Sequence, residues 1–255
     1  MDFTLQQYTQ LLKSFKKTGY SFQPFGQFVE NPLPKVAILR HDVDRLPVNS
    51  LRMAQIESES GICGSYYFRI VKESNNPEII RQIAGLGHEI GYHYEDMALA
   101  KGDIEKAINS FIGNLNYFRQ FYPVSTICKH GSPLSKFDNR EMWKKYDYRS
   151  YGIIGEPYFD VDYTRVFYIT DTGRKWNNRS SNVRDIVDRP VDIPIQSTGH
   201  LISLIEQEKL PDSIMINTHP QRWFDGGFGW YKEFFMQNFK NLIKQIIVRS
   251  RHNSK

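Results

Sequence analysis

The chain has 255 residues, 40% of them hydrophobic and 24% charged, with a net charge of +5. That length accommodates one large α/β domain and buries enough apolar surface to need no disulfides, so Cys63 and Cys128 are not a disulfide framework. The whole charge excess sits in residues 240–255, where Lys240, Lys244, Arg249, Arg251 and Lys255 occur without an acid, and the first 239 residues balance at 28 against 28. A basic total invites a polyanion reading, but an electrically even body with no Gly-rich phosphate loop or basic aromatic strand face excludes a nucleic-acid binder. No apolar run approaches the roughly 18–20 residues of a membrane helix. The N-terminus lacks a signal-peptide core, so a cytoplasmic location without membrane insertion is the expectation.

Residues 3–17 place Phe3, Leu5, Tyr8, Leu11, Leu12 and Phe15 at helical spacing, ending at Gly19. A Pro- and Phe-rich connector, 20–34, precedes Val36–Asp44, which is apolar and β-branched before turning abruptly charged, as a buried strand does at a rim. A helix follows at 49–60, then a strand at 63–70 and a helix at 76–86 with Pro77 in its first turn. A short strand at 89–93 comes next, then a helix at 103–121 capped by Asp103, a strand at 124–130 and a short helix at 139–146. Beyond these, the runs YRSYGII (148–154) and RVFYIT (165–170) are strand-like, 171–182 is a polar loop, 191–195 and 213–219 are strands, and 230–250 is a long helix. Its apolar side carries Phe234, Phe235, Phe239, Leu242, Ile243, Ile246 and Ile247. Strand–helix alternation over about seven units predicts a parallel sheet covered by helices, in one domain over 1–255. The segment 1–34 is then a helical extension, and 230–255 a final helix with a basic tail.

Asp42 and Asp44 stand two apart at the end of the first strand, on one face and roughly 7 Å apart. One carboxylate of such a pair can ligate a metal while the other takes a proton from bound water, although a bare D-x-D is also a common pair of solvated rim acids. His93, His130 and His219 each follow a strand segment, and C-terminal strand ends of parallel sheets converge on ligand sites. Imidazoles and carboxylates together are the ordinary donors of catalytic zinc or a similar divalent ion. His41 alternates to the face opposite Asp42, and His88 opposite His93, so both read as structural; His200 and His252 gain no role.

RHDVD at 40–44, GHEIGYHYED at 87–96, HGSP at 130–133, DTGRKW at 171–176 and INTHP at 216–220 together resemble the polysaccharide deacetylase (NodB-like, carbohydrate esterase family 4) superfamily, in a divergent form. The resemblance implies a distorted (β/α) barrel of seven strands, with the N-terminal helix added. It also implies a metal-dependent hydrolase of N-acetyl groups or related amides, acting on a carbohydrate or small amide. Carried over by residue, it makes Asp42 the general base, Asp44 and His93 metal ligands, and His219 the general acid. Asp171, Arg174 and Trp176 fall where supporting and acyl-pocket residues are expected. Where the family has its second metal histidine, four residues after His93, this chain has Met97, a poor ligand for a borderline divalent ion. His130 is then the first candidate for a third ligand, with Glu95 and Asp96 as local alternatives. Zinc is the expected ion, other divalent ions being possible. Two alternatives stay open: hydrolysis of a non-sugar amide or cyclic imide, and a metal-free descendant that binds carbohydrate without turnover.

Overall fold

The computed structural model describes residues 1–133, 135–176, 187 and 193–252, with side chains of the last helix described at 227–239 and 241. Its strands are β1 (Ser21–Gln23), β2 (Val36–Val43), β3 (Ser65–Phe68), β4 (Glu89–Tyr94), β5 (Ile127–Lys129), β6 (Phe167–Thr170) and β7 (Ser213–Thr218). All pair in parallel in the order β5-β4-β3-β2-β7-β6. β1 lies against residues 36–38 of β2, on the edge that β3 takes over from residue 40. β2 is buried along its whole length, as its near-continuous apolar sequence requires when both faces are covered.

The sheet curls into a half-barrel. Its concave side is filled by Phe25, Ile38, Tyr67, Cys128, Tyr168 and Met215. Gly91 is part of this packing, because a Cβ there would overlap the Tyr67 ring. The convex side carries two apolar clusters beneath helices α1 (Leu5–Lys17), α3 (Pro47–Glu59), α4 (Pro77–Gly85), α6 (Ile104–Phe118) and α8 (Thr198–Glu206). α1 begins where the Thr4 side chain accepts the Gln7 N–H, and inserts Tyr8, Leu11, Leu12 and Phe15 into one cluster.

Closure is where the expectation of a barrel fails. β5 and β6 end the sheet and do not pair with each other among the described residues. The edge of β5 is met instead by a single bridge between Thr126 and Gly155, followed by α7 (Pro157–Asp160). Three local expectations also change. The 20–34 connector contains β1 and α2 (Phe25–Glu30), both too short to leave a periodic signal. Residues 148–151 form a 3-10 turn rather than a strand, because Asp147 caps it through the Arg149 N–H and Gly152, at φ 72°, ends it. Of the strand expected at 191–195, residues 191 and 192 lie outside the described residues, and 193–195 are not in a strand. Among the described residues no helix is long and apolar enough to cross a membrane.

Candidate metal centre

Four strands deliver the site at their C-terminal ends: β2 ends in Asp42 and Val43 with Asp44 one step beyond, β4 carries His93, and His130 and His219 directly follow β5 and β7. In-register pairing sets His93 opposite Cys128. The chain tightens after β2, with the Asp44 N–H donating to the Asp42 carbonyl at 3.0 Å. That turn brings both carboxylates to the same imidazole. His93 Nε2 lies 3.9 Å from Asp42 Oδ2 and 3.7 Å from Asp44 Oδ1.

His130 Nε2 lies 3.5 Å from the same Asp44 Oδ1, so Asp44, His93 and His130 present one oxygen and two nitrogens within 4.8 Å of one another. The other ring nitrogens are engaged. His93 Nδ1 donates to the Cys128 carbonyl and His130 Nδ1 to the Glu95 carboxylate, both at 2.9 Å, which leaves the Nε2 atom of each ring turned toward the cluster. Asp44 Oδ2 accepts from Gln221 at 3.1 Å, but Oδ1 is buried with no hydrogen-bond partner among the described residues. A buried acceptor without a hydrogen-bond partner is costly unless a cation completes the group, and this oxygen with the two imidazole nitrogens beside it fits a divalent ion. Burial by itself would raise the Asp44 carboxyl, yet His130, His219, His93 and Arg69 bring it to about 2. Burial takes the His93 imidazole down to about 4, against the pull of Asp42, so it is neutral and ligand-competent at pH 7.

Asp42 is held differently. The Arg40 guanidinium grips it in a fork, Nε to Oδ1 at 3.0 Å and Nη2 to Oδ2 at 2.6 Å, and Asn217 donates to Oδ2 at 3.0 Å. Burial opposes ionisation, but Arg40 and then His93 hold the Asp42 carboxyl well below the usual range. A second triad, Asp42, His93 and Cys128, also meets the distance condition. Its carboxylate is already committed to Arg40 and Asn217, which favours the Asp44 group as the ion-holding set.

His219 faces the cluster from β7. Its Nδ1 donates to Asp171 Oδ1 at 2.7 Å and its backbone N–H to Oδ2 at 3.0 Å. Asp171, fully buried, also accepts from Arg222 at 2.5 Å and Trp223 at 2.9 Å. Burial opposes its ionisation too, but Arg222 and then His219 keep it a carboxylate.

Several sequence expectations land elsewhere. Glu95 sits beside His130 but is forked onto Arg69 at 2.8 and 2.7 Å, so it orients the imidazole rather than supplying a third ligand. Asp96 points to the helix layer, accepting from Tyr92, Ser110 and Asn114, and is no ligand alternative. Met97 belongs to the same outer apolar cluster, because the chain leaves the rim at Glu95 and enters the short helix α5 (Asp96–Leu99). Position 97 is therefore not at the rim, and a methionine there neither adds nor removes a donor. Gly173 and Arg174 take positive φ values of 76° and 56° and turn the chain outward. Arg174 consequently donates to the Arg222 carbonyl and lies over the Phe3 and Trp230 rings. Trp176 is buried, stacked on Phe3 beside Trp223, with its N–H on Thr198. Neither lines the site; Trp176 backs the tryptophan that holds Asp171.

Sequence reasoning passed over Arg40, Asn217, Cys128, Gln221 and Arg222. Period two within RHDVD puts Arg40 on the face of Asp42, and within INTHP puts Asn217 on that of His219, so two of these five were marked by spacing.

No protein-family model matches the chain, and neither a curated protein nor a solved structure matches it.

Proposed function

We propose that the chain is a divalent-metal-dependent amide hydrolase, an N-deacetylase of an acetamido sugar or saccharide precursor. The observation that carries the reading is the unpaired Asp44 Oδ1 facing His93 Nε2 and His130 Nε2, with a second carboxylate and a carboxylate-held histidine beside it. Asp44, His93 and His130 would hold the ion, and one carboxylate with two imidazoles is a donor set that catalytic zinc uses. A bound divalent ion supplies Lewis acidity, polarising a carbonyl and lowering the pKa of water toward about 7.

The remaining chemistry belongs to the chain. Asp42 takes the proton of the attacking water on the oxygens that Arg40 and Asn217 orient. His219, entering the step as the imidazolium with its Nδ1–H held by Asp171, would present Nε2–H to the departing nitrogen and give it that proton as the C–N bond breaks, ending as the neutral Nδ1–H imidazole. Arg222 and Trp223 keep Asp171 ionised and immobile, so the imidazole retains one tautomer.

The test is acetate release from acetamido sugars by zinc-loaded protein, with Asp42→Asn in parallel. Metal-dependent release that falls about 100-fold or more in the variant is the expected result. Release that is unchanged by Asp42→Asn removes Asp42 from the base role, and release only from small cyclic amides redirects the substrate assignment.

A further inference from the structure

The last helix, α9 (Gly227–His252), is amphipathic the wrong way round. Trp230, Glu233, Gln237 and Asn241 lie at helical spacing on its buried side, and three of the four are polar. Three are held by the body and one within the helix: Glu233 is forked by Arg45 at 2.7 and 2.5 Å, Asn241 donates to the Gly173 carbonyl and Trp230 to the Asp2 carbonyl, while Gln237 donates to Asn241 one turn along. The opposite side carries Phe228, Tyr231, Phe235 and Phe239, at steps of three and four residues, with relative exposures of 83%, 49%, 68% and 65%. Phe234 and Met236 widen the stripe. Scattered exposed aromatics are ordinary, but an aligned row on one helix face marks an interaction surface.

Charge identifies the partner. From Gly227 to Lys255 the only acid is Glu233, which Arg45 consumes, while Lys232, Lys240, Lys244, Arg249, Arg251 and Lys255 add six cations. A second copy of the chain would bring like charges together along this helix with no acid to offset them. Exposed aromatics beside a surplus of lysine and arginine are instead the composition of a helix that lies in the headgroup region of an anionic bilayer. We propose that α9 is a peripheral membrane-binding element, seating its Phe228–Phe239 stripe in the interface of anionic phospholipid while its basic end contacts the headgroups. This adsorbs the protein without any helix spanning the bilayer, and it is independent of the metal-site reading.

The test is co-sedimentation of the full chain with vesicles of phosphatidylcholine alone and of mixed phosphatidylcholine and phosphatidylglycerol. Expected is binding to the anionic vesicles that weakens as salt rises, since exposed charge interactions are screened. Phe235→Ser with Phe239→Ser should weaken it about tenfold or more, because affinity scales with buried apolar area. Lys240→Gln and Lys244→Gln should each cost about fivefold. Both phenylalanines are exposed, so circular dichroism should be unchanged, and the lipid and salt comparisons stand without any variant. The proposal is overturned by failure to bind anionic vesicles, or by binding indifferent to the phenylalanine pair. It is equally overturned by a dimer in sedimentation equilibrium that the phenylalanine variant dissolves, which would make a second copy the occupant of the stripe.

Discussion

Glu95 Oε2 lies 2.9 Å from His130 Nδ1 and thereby selects the nitrogen that His130 turns toward Asp44. Arg69 keeps that carboxylate charged and fixed, so the orientation does not depend on the metal. Glu95→Gln should lower zinc affinity about 10- to 100-fold, the range for losing an outer partner of a ligand histidine. His130→Ala should lower it further. Calorimetric zinc titration of the two variants checks both, and unchanged affinity in Glu95→Gln would remove its orienting role.

Asp171→Asn should separate proton delivery from metal binding. An amide in place of the carboxylate permits the other imidazole tautomer at His219. The expected outcome is a fall in kcat of about 100-fold or more with little change in KM, and zinc content equal to that of the unsubstituted chain. A loss of zinc in parallel with activity would show that Asp171 maintains the whole rim instead.

Acidification should unfold the metal-free protein through His93. Its imidazole titrates at about 4 in the folded chain, mainly from burial, against an ordinary 6.5. Between these values the unfolded chain binds more protons, so stability rises with pH and is lost as pH falls from 6.5 through 4. Asp44, at about 2 against an ordinary 3.8, acts with the same sign in a lower window. The His93 contribution is on the order of 3 kcal/mol. Thermal melts in the presence of a chelator should show it, and His93→Gln should flatten the slope between pH 4 and 6.5.

Met97→His tests whether position 97 lies at the rim. Met97 is buried in the outer apolar cluster, and burying a polar imidazole there in place of the thioether should destabilise by about 1–3 kcal/mol in urea unfolding. Zinc affinity should stay the same. A gain in affinity would place residue 97 in the ligand set.

The elements legible in the sequence were those whose burial leaves a long signature. β2 reads as a strand because eight consecutive residues are covered on both faces, and α1 because its buried positions recur every three or four. Strand-end histidines were legible as a group, and His130 is the one that meets Asp44 with His93. Residues 148–154 misled through the tyrosines and isoleucines of a segment whose conformation is set by Asp147 and Gly152. Arg174 and Trp176 misled because the positive-φ turn that diverts them leaves no mark on spacing. Sheet closure depends on whether β5 and β6 meet, and no periodicity within either strand carries that information. The apolar side of α9 was visible as a pattern, but its direction was not, since the polar residues opposite it are buried by partners as distant as Arg45 and Gly173.

The register of the sheet has one more consequence. His93, Gly91 and Glu89 alternate with Ile90, Tyr92 and Tyr94, so a slip of β4 by a single residue against β3 and β5 would send His93 into the outer apolar layer and a tyrosine into the rim. The same holds for Asp42 on β2. A misregistered molecule can therefore remain compact and helical while having no metal centre. On the proposed reading of the site, stoichiometric uptake of a divalent ion would be a gauge of correct strand alignment, sensitive to an assembly error that secondary-structure content would not register.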